Sequence, residues 1–187
     1  MTAAADSLLR TDAERAALAA LRDAAGETDG VMERHCVRCF WLSEQLAVLH
    51  SADLDREVAL CAAFLHDIGL YPSVTGGGVY TEEGAELARK LALEAGWDER
   101  RAQLCADACA YHHSVRSKWE LGAEVETLRL ADRIEVSGGL IRSGLSRDQL
   151  REVNAAAPRD GFYGGLLHVV WPVLRSRPLT LPRVFKP

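Results

Sequence analysis

Apolar residues recur three and four positions apart along most of this 187-residue chain, and the strict alternation that is typical of strands is nearly absent. Start and stop signals divide the pattern into helices. Thr11 and Glu14 form a capping box, and Gly26 ends the run that follows them. The predicted helices are Thr11 to Ala25, Val31 to Leu49, about Leu54 to Asp67, one capped by Thr81 and ended by Gly96, Asp98 to about His112, Ala123 to Val136, and a shorter piece after Ser146. The pattern predicts an all-α fold.

Two stretches interrupt the helices. Residues 70–80 contain one proline and three consecutive glycines, which predict a flexible loop that is suited to act as a lid. The residues from Pro158 onward hold five prolines and several glycines, and they predict loop and short turns. We therefore divide the chain into an N-terminal helix at 1–30, a core domain at 31–157 and a C-terminal extension at 158–187.

Composition restricts the class of protein. Hydrophobic residues make up 48% of the chain and charged residues 26%, as is typical of a folded globular domain. The net charge of −5 argues against a nucleic-acid polymer as partner, and no apolar run reaches the roughly 20 residues that cross a membrane. The N-terminal residues lack the pattern of a signal peptide, and five cysteines favour reduced thiols, so we expect a cytoplasmic protein.

The segment AAFLHDIGL, Ala62 to Leu70, places a histidine and an aspartate inside an apolar run. Burying an ionised carboxylate is costly unless a cation pairs with it, so Asp67 needs a partner. His35 lies on an earlier predicted helix, and Asp132 shares a face with the apolar residues of a later one. Together with His66 they offer two imidazoles and two carboxylates, a donor set that suits one divalent ion of Fe, Mn, Co, Ni or Zn. The sequence therefore predicts a buried metal site.

The motifs RHCVRC, FLHDIGL and LADRIE, in this order, resemble the HD-domain superfamily of metal-dependent hydrolases. The resemblance covers about Val31 to Leu140 and implies a single-domain helical bundle around a buried metal site, with the core domain as the HD domain. It also implies that the metal ligands are His35, His66, Asp67 and Asp132. Some relatives hold a second metal with a histidine at the position of Tyr80, so the tyrosine here predicts a single ion.

Three residues are candidates for a catalytic role, namely Asp67, His112 and Arg38. His112 and His113 correspond to a pair that helps to hold the second ion in two-metal relatives. Because adjacent helical residues point about 100° apart, only one of them is expected to face the metal. We favour His112, as a proton donor or as a hydrogen-bond partner of an anionic intermediate. Arg38 either binds a phosphate or carboxylate group or holds a ligating aspartate in place.

Three functions stay open at this stage. The resemblance implies attack by metal-bound water on a small, nucleotide-like phosphoester, so the expected partner is a small-molecule substrate that is anionic or small and polar. A narrower resemblance to the cyanamide hydratase branch, in Tyr80 before Gly84 and in ADRIEVSGG, implies instead the addition of water to a nitrile-type carbon. The third hypothesis is a non-catalytic binding module that contains a metal.

The cysteines raise one competing metal hypothesis. Cys36 and Cys39 are spaced as C-x₂-C, and Cys105 and Cys109 as C-x₃-C, so the four could form a structural zinc site. Both pairs lie within predicted helices and lack the glycine-rich turns of such sites. Buried thiols are therefore the better interpretation.

Overall fold

The computed structural model describes residues 2–26 and 30–186, so Met1, residues 27–29 and Pro187 of the predicted division lie outside the described residues. Within the described ranges the chain forms one domain of ten α-helices without a strand, which confirms the predicted all-α class. The helices are α1 Ala3–Leu8, α2 Asp12–Ala25, α3 Val31–Leu49, α4 Arg56–Leu65, α5 Tyr80–Glu94, α6 Glu99–Tyr111, α7 Ala123–Val136, α8 Arg147–Ala156, α9 Phe162–Ser176 and α10 Leu181–Val184.

Helix α4 is the centre of the fold. Its sequence is apolar on all sides from Val58 to Leu65, and every residue of this stretch is buried. Such a helix must be covered on all faces, and α2, α3, α5, α6 and α7 all pack against it. Its last turn therefore ends inside the protein, and the next two residues, His66 and Asp67, lie in the interior.

A glycine brings α5 close to the end of α4. A Cβ atom at Gly69 would lie 2.0 Å from the carbonyl oxygen of Tyr80, so only glycine allows this approach. Helix α5 already begins at Tyr80, and Thr81 is a buried residue of its first turn. The prediction that Thr81 caps this helix is therefore wrong: the cap position is Val79, and the helix, which packs against Gly69, begins two residues earlier than predicted. The contact places Tyr80 beside the His66–Asp67 pair.

The prediction of loop after Pro158 is wrong, because Phe162–Ser176 forms the 15-residue helix α9. One of the glycines that suggested a loop has a packing role. A Cβ atom at Gly165 would lie 2.7 Å from Cγ1 of Val31, so this glycine allows α9 to approach α3 closely. Pro172 lies inside the helix, where the burial of Val169 and Val173 compensates for the backbone hydrogen bond that proline cannot make.

The N-terminal part contains two helices, α1 and α2, instead of the single helix predicted. The capping box of α2 is confirmed, since Thr11 accepts a hydrogen bond from the Glu14 amide and Glu14 accepts one from the Thr11 amide. Glu33 of α3 joins both helices to the core, because its carboxylate accepts hydrogen bonds from Thr2 and from Arg22. Within the described ranges, none of the helices combines the length and the apolar character needed to cross a membrane.

Candidate metal centre

The structure brings together all four predicted metal ligands. His35 comes from α3, Asp132 comes from α7, and His66 and Asp67 follow directly on α4. The Nε2 atom of His35 lies 3.2 Å from Nε2 of His66 and 3.5 Å from Oδ1 of Asp132. The Nε2 atom of His66 lies 3.4 Å from Oδ2 of Asp67. All four residues are at most 5% exposed, so the cluster lies in the protein interior.

The spacing of these donor atoms fits a divalent ion. With metal–ligand bonds of about 2.1 Å, neighbouring donors lie about 3.0 Å apart in octahedral geometry and about 3.4 Å apart in tetrahedral geometry. The Nε2 atoms of His35 and His66 lie 3.2 Å from each other and 3.4 to 4.0 Å from the nearest oxygens of Asp67 and Asp132. Two imidazole nitrogens at 3.2 Å repel each other when both carry lone pairs, and a cation between them removes that repulsion. The donor set and its spacing therefore suit a metal ion.

Backbone carbonyl groups orient two of the imidazole rings. The Nδ1 atom of His66 lies 2.9 Å from the carbonyl oxygen of Ala63, and that of His112 lies 2.7 Å from the carbonyl oxygen of Cys109. An N–H group at Nδ1 donates to the carbonyl, which leaves the lone pair at Nε2 directed into the cluster. The buried Nε2 atom of His112 lies 3.5 Å from Oδ1 of Asp67 and makes no hydrogen bond of ordinary geometry among the described residues. A buried nitrogen of this kind fits a fifth metal donor.

His112 is neutral near pH 7. Burial and the neighbouring charge of His113 lower the pKa of His112 to about 4. A neutral ring with its proton on Nδ1 has no proton to give at Nε2. The arrangement therefore supports a ligand or acceptor at His112, and its predicted role as a proton donor gains no support from it.

His113 also faces the cluster, with its Nδ1 atom 3.3 Å from Oδ2 of Asp132. The prediction that only one histidine of the pair faces the site is wrong, because both rings reach the cluster from adjacent positions at the end of α6, with their centroids 4.1 Å apart. Burial alone would lower the pKa of His113, but the hydrogen bond and the charge of Asp132 outweigh burial and raise it. His113 is therefore the better candidate for a protonated ring.

The two aspartates are ionised although they are buried. Burial favours the neutral form of each carboxyl group, but interactions with His66 and His112 lower the pKa of Asp67, and hydrogen bonds with His113 and His35 lower that of Asp132. Two ionised carboxylates in the interior represent a negative charge that a divalent cation would neutralise.

Tyr80 lies beside the histidine pair, with its ring centroid 6.2 Å from the centroids of both His112 and His113. Burial and the charges of Asp67 and Asp132 raise the pKa of the Tyr80 phenol, so it stays protonated. A neutral phenol is a weak metal donor. This supports the expectation of a single ion, which stays a prediction.

Sequence reasoning missed Glu135, which supports the predicted ligand His35. Its Oε2 atom lies 3.4 Å from Nδ1 of His35 and accepts a 2.6 Å hydrogen bond from Nε of Arg38. Burial would raise the pKa of Glu135, but the hydrogen bond with His35 and the charges of Arg38 and Arg159 lower it. Glu135 lies three residues after Asp132 on α7, and this helical spacing was the signal that could have found it.

The guanidinium group of Arg38 is fully buried and held within the protein. Besides Glu135, it donates to the carbonyl oxygens of Ala157 and Pro158. Of the two roles predicted for Arg38, these contacts support the positioning of an acidic residue. The acid is Glu135 and not one of the predicted ligands.

Helix α9 and the residue Arg159 before it also contact His35, Arg38 and Glu135. The ring of Phe162 stacks on His35 with a centroid distance of 4.9 Å, and the guanidinium groups of Arg38 and Arg159 lie over the same ring. Arg159 also forms an ion pair with Glu135 at 2.5 Å. The segment that the sequence assigned to a C-terminal extension therefore packs directly behind a predicted metal ligand.

The four cysteines of the zinc hypothesis do not form one cluster. All are buried and unpaired. Cys39 lies 3.7 Å from the ring nitrogens of His35 and belongs to the histidine–aspartate cluster, whereas Cys36, Cys105 and Cys109 belong to no metal-type cluster found among the described residues. Burial raises the pKa of the Cys39 thiol to about 11, which keeps it neutral. Buried thiols are the interpretation that this arrangement supports.

Two cavities reach the cluster from outside. The first, of about 330 Å³, is here called the apolar cavity and is lined by Asp67, Leu70, Tyr80, His113, Asp132, Val136, Leu166, Val170, Val173, Leu174, Val184 and Phe185. The second, of about 400 Å³, is here called the arginine cavity and is lined by His112, His113, Ser114, Val115, Arg129, Asp132, Arg133, Val136, Ser137, Ile141 and Phe185. Both share His113 and Asp132, so the cluster faces a space that a small molecule can enter.

The three consecutive glycines line neither cavity, although Leu70 and Tyr80, at the two ends of residues 70–80, line the apolar cavity. Glu83 of α5 accepts hydrogen bonds from the amides of Gly76 and Gly78 at 2.8 and 2.7 Å. From the C-terminal segment, Phe185 lines both cavities and Val184 lines the apolar cavity. The role of a lid for residues 70–80 stays a prediction.

An all-helical domain with a buried cluster of histidine and aspartate side chains is typical of a class of metal-binding proteins. Comparison with family models identifies the family to which the chain belongs. The model of the HD domain matches residues 32–137, which include all four predicted ligands. The chain belongs to the HD domain family, a family of metal-dependent hydrolases of the phosphohydrolase type. A comparison with curated proteins finds no match.

Proposed function

We propose that this protein is a metal-dependent hydrolase that cleaves a small phosphoester. The observation that carries the proposal is the position of Asp67 and Asp132, which belong to the buried donor cluster and also line the apolar cavity. A metal with a purely structural role would be enclosed on all sides. A centre that opens to a cavity is typical of a site that admits water and substrate, and this favours an enzyme over a binding module.

The proposed roles of the residues are as follows. His35, His66, Asp67 and Asp132 would hold the ion, with His112 as an additional donor. A bound divalent ion supplies Lewis-acid polarisation and lowers the pKa of water. Glu135 and Phe162 keep the ring of His35 in position.

The reaction exchanges one bond for another at phosphorus. The oxygen of a water molecule forms the new P–O bond and the P–O bond to the alcohol breaks. The leaving alcohol oxygen receives a proton, and a proton lost by the water restores the group that supplied it, so the products are the alcohol and inorganic phosphate. His113 is suited to supply that proton, because it lines both cavities and the charge of Asp132 favours its protonated form.

The arginine cavity supports a phosphoester. Arg133 lines it and is exposed, and no described side chain pairs with it, so its guanidinium is available to a phosphate group. Arg129 lines the same cavity but is engaged by Glu126 at 2.7 Å. Arg133 therefore takes the role of anion binding that the sequence suggested for Arg38.

A second candidate function is the hydration of a nitrile-type carbon, as in the cyanamide hydratase branch. One observation favours it: among the described residues, no lysine or arginine lines the apolar cavity. A small uncharged substrate would need no cationic partner there, and the ion with Asp67, Asp132 and His113 would be sufficient.

The two functions are separated by an assay of the purified protein loaded in turn with Mn²⁺, Fe²⁺, Co²⁺, Ni²⁺ and Zn²⁺. Phosphate release from phenyl phosphate or a nucleoside monophosphate supports the first function, and urea formation from cyanamide supports the second. The Asp132→Asn variant is expected to lose either activity, whereas Asp148→Asn, on the surface of α8, is expected to retain it. A stoichiometric metal without any product would favour the binding module.

A further inference from the structure

We infer that the apolar cavity selects a phosphoester whose organic group is a short aliphatic chain or a single aromatic ring, and not a nucleoside. This inference rests on the proposed function, because the ester is assumed to react at the donor cluster. It narrows the substrate class through residues that surround the ester's organic group, away from the donor atoms.

The polar groups of the apolar cavity all lie at one end. Asp67, Asp132 and His113 belong to the donor cluster or contact it, and Tyr80 lies beside them. The remaining lining is hydrophobic and consists of Leu70, Val136, Leu166, Val170, Val173, Leu174, Val184 and Phe185. The phosphate end of a bound ester would therefore contact the polar groups, and its organic group would contact the hydrophobic side chains, which we call the wall of the cavity.

Such a wall discriminates against a nucleoside. The base and the sugar carry several donors and acceptors, and each would lose its hydrogen bonds to water without finding a partner on the wall. An alkyl or phenyl group loses no hydrogen bond and gains from leaving water. Both effects favour the binding of an ester with an alkyl or phenyl group over that of a nucleoside phosphate.

Most of the wall comes from a part of the chain outside the family match. Leu166, Val170, Val173 and Leu174 lie on α9, whereas the HD domain model ends at residue 137. Gly165 sets the position of this wall, because it allows α9 to pack against Val31 of α3. The donor cluster is thus common to the family, and the wall that selects the organic group belongs to this chain's own C-terminal segment.

Adjacent leucines of α9 offer a matched pair for the test. Leu166 lines the apolar cavity, and Leu167 is 59% exposed and does not line it. Asparagine at either position makes the same chemical change in the same helix. Only Leu166→Asn brings a polar amide into the cavity.

The experiment measures binding by isothermal titration calorimetry, with the full chain as purified with its metal. The probes are phenylphosphonate and methylphosphonate, which carry the same head group and are not hydrolysed. We expect phenylphosphonate to bind about tenfold more tightly than methylphosphonate, Leu166→Asn to reduce this preference to less than threefold, and Leu167→Asn to leave it unchanged. If thermal unfolding shows that Leu166→Asn does not fold, the nearly isosteric Val170→Thr replaces it.

Equal affinity for the two phosphonates, absence of binding by both, or equal effects of the two leucine variants would overturn the inference. A separate assay of phenyl phosphate hydrolysis tests the proposed function. A clear preference for phenylphosphonate without hydrolysis of phenyl phosphate would refute the hydrolase and leave the apolar selectivity established. Hydrolysis without the preference would support the hydrolase and refute the selectivity.

Discussion

The Nδ1 atom of His35 lies 3.4 Å from Oε2 of Glu135, on the side of the ring opposite the donor cluster. A carboxylate behind a metal-binding histidine fixes the orientation of the ring and makes its other nitrogen a stronger donor. In this protein the carboxylate is itself held by Arg38 and Arg159, so the ring has little freedom to turn.

The first prediction concerns this contact. Glu135→Gln is expected to lower the metal affinity 10- to 100-fold, because the neutral amide is a weaker acceptor for the His35 N–H group. Competition with a chelator of known affinity measures the change. Glu126→Gln is the matched control, since Glu126 is a buried glutamate of the same helix that pairs with Arg129 and contacts no predicted ligand. Equal losses in both variants would contradict the role of Glu135.

The second prediction concerns the ligand Asp67. Asp67→Ala is expected to lose the metal and the activity together, because it removes a donor and one of the two charges that balance the ion. Elemental analysis of the purified variant measures the metal content against the parent protein. A variant that keeps one equivalent of metal would refute the assignment of Asp67 as a ligand.

The third prediction concerns the dependence of stability on pH. Burial would raise the pKa of Glu33, but hydrogen bonds from Arg22 and Thr2 outweigh burial and place it below the ordinary value of 4.5. A carboxyl group whose pKa is lowered by folding stabilises the protein above its unfolded pKa and loses that contribution as the pH falls through its folded pKa.

The free energy of unfolding is therefore expected to decrease as the pH falls below about 4.5, and less steeply in Glu33→Gln than in the parent protein. Urea denaturation between pH 3 and pH 7 measures both slopes, under the linear extrapolation that applies to small domains. Glu152→Gln, exposed on α8, is the control and should keep the parent slope. Identical slopes in the parent and in Glu33→Gln would refute the contribution of Glu33.

The fourth prediction uses the adjacent glycines of α9. A Cβ atom at Gly164 would meet nothing within 4 Å, whereas one at Gly165 would lie 2.7 Å from Val31. Gly164→Ala is expected to stabilise the protein by about 0.5–1 kcal/mol through the higher helix propensity of alanine. Gly165→Ala is expected to destabilise it by about 1–3 kcal/mol, because α9 must move away from α3. Thermal unfolding distinguishes them, and equal effects would show that α9 does not pack closely on α3.

The helices and the donor set could be predicted from the sequence because both depend on short-range patterns. The capping box at Thr11 and the apolar run around His66 identify their elements without knowledge of the fold. The role of Gly165 could not be predicted, because it depends on Val31, more than 90 residues away in the chain. The spacing of Glu135 from Asp132 could have placed it on the same face of α7, but its partner His35 is also distant in the chain and could not be assigned. Glycine and proline in α9 suggested a loop, since local propensity does not include tertiary contacts.

His112 and His113 show a second limit of sequence reasoning. The angle between neighbouring helical positions fixes the direction of the Cα–Cβ bonds but not where the rings end. Both rings reach the cluster, with their centroids 4.1 Å apart and the Nδ1 atom of His113 3.3 Å from Oδ2 of Asp132. The rotamers that bring them there depend on tertiary contacts, which the spacing of residues does not give.

The ring of Phe162 links the packing of helix α9 to the predicted metal site. Because this residue begins α9 and stacks on the predicted ligand His35, we expect the docking of the C-terminal helix and the binding of the metal to be thermodynamically coupled. Coupling of this kind is reciprocal, so an ion that steadies His35 also protects α9 from detaching. Limited proteolysis near Gly161 should therefore slow when the metal is bound, and a cut in that segment should weaken the hold on the metal.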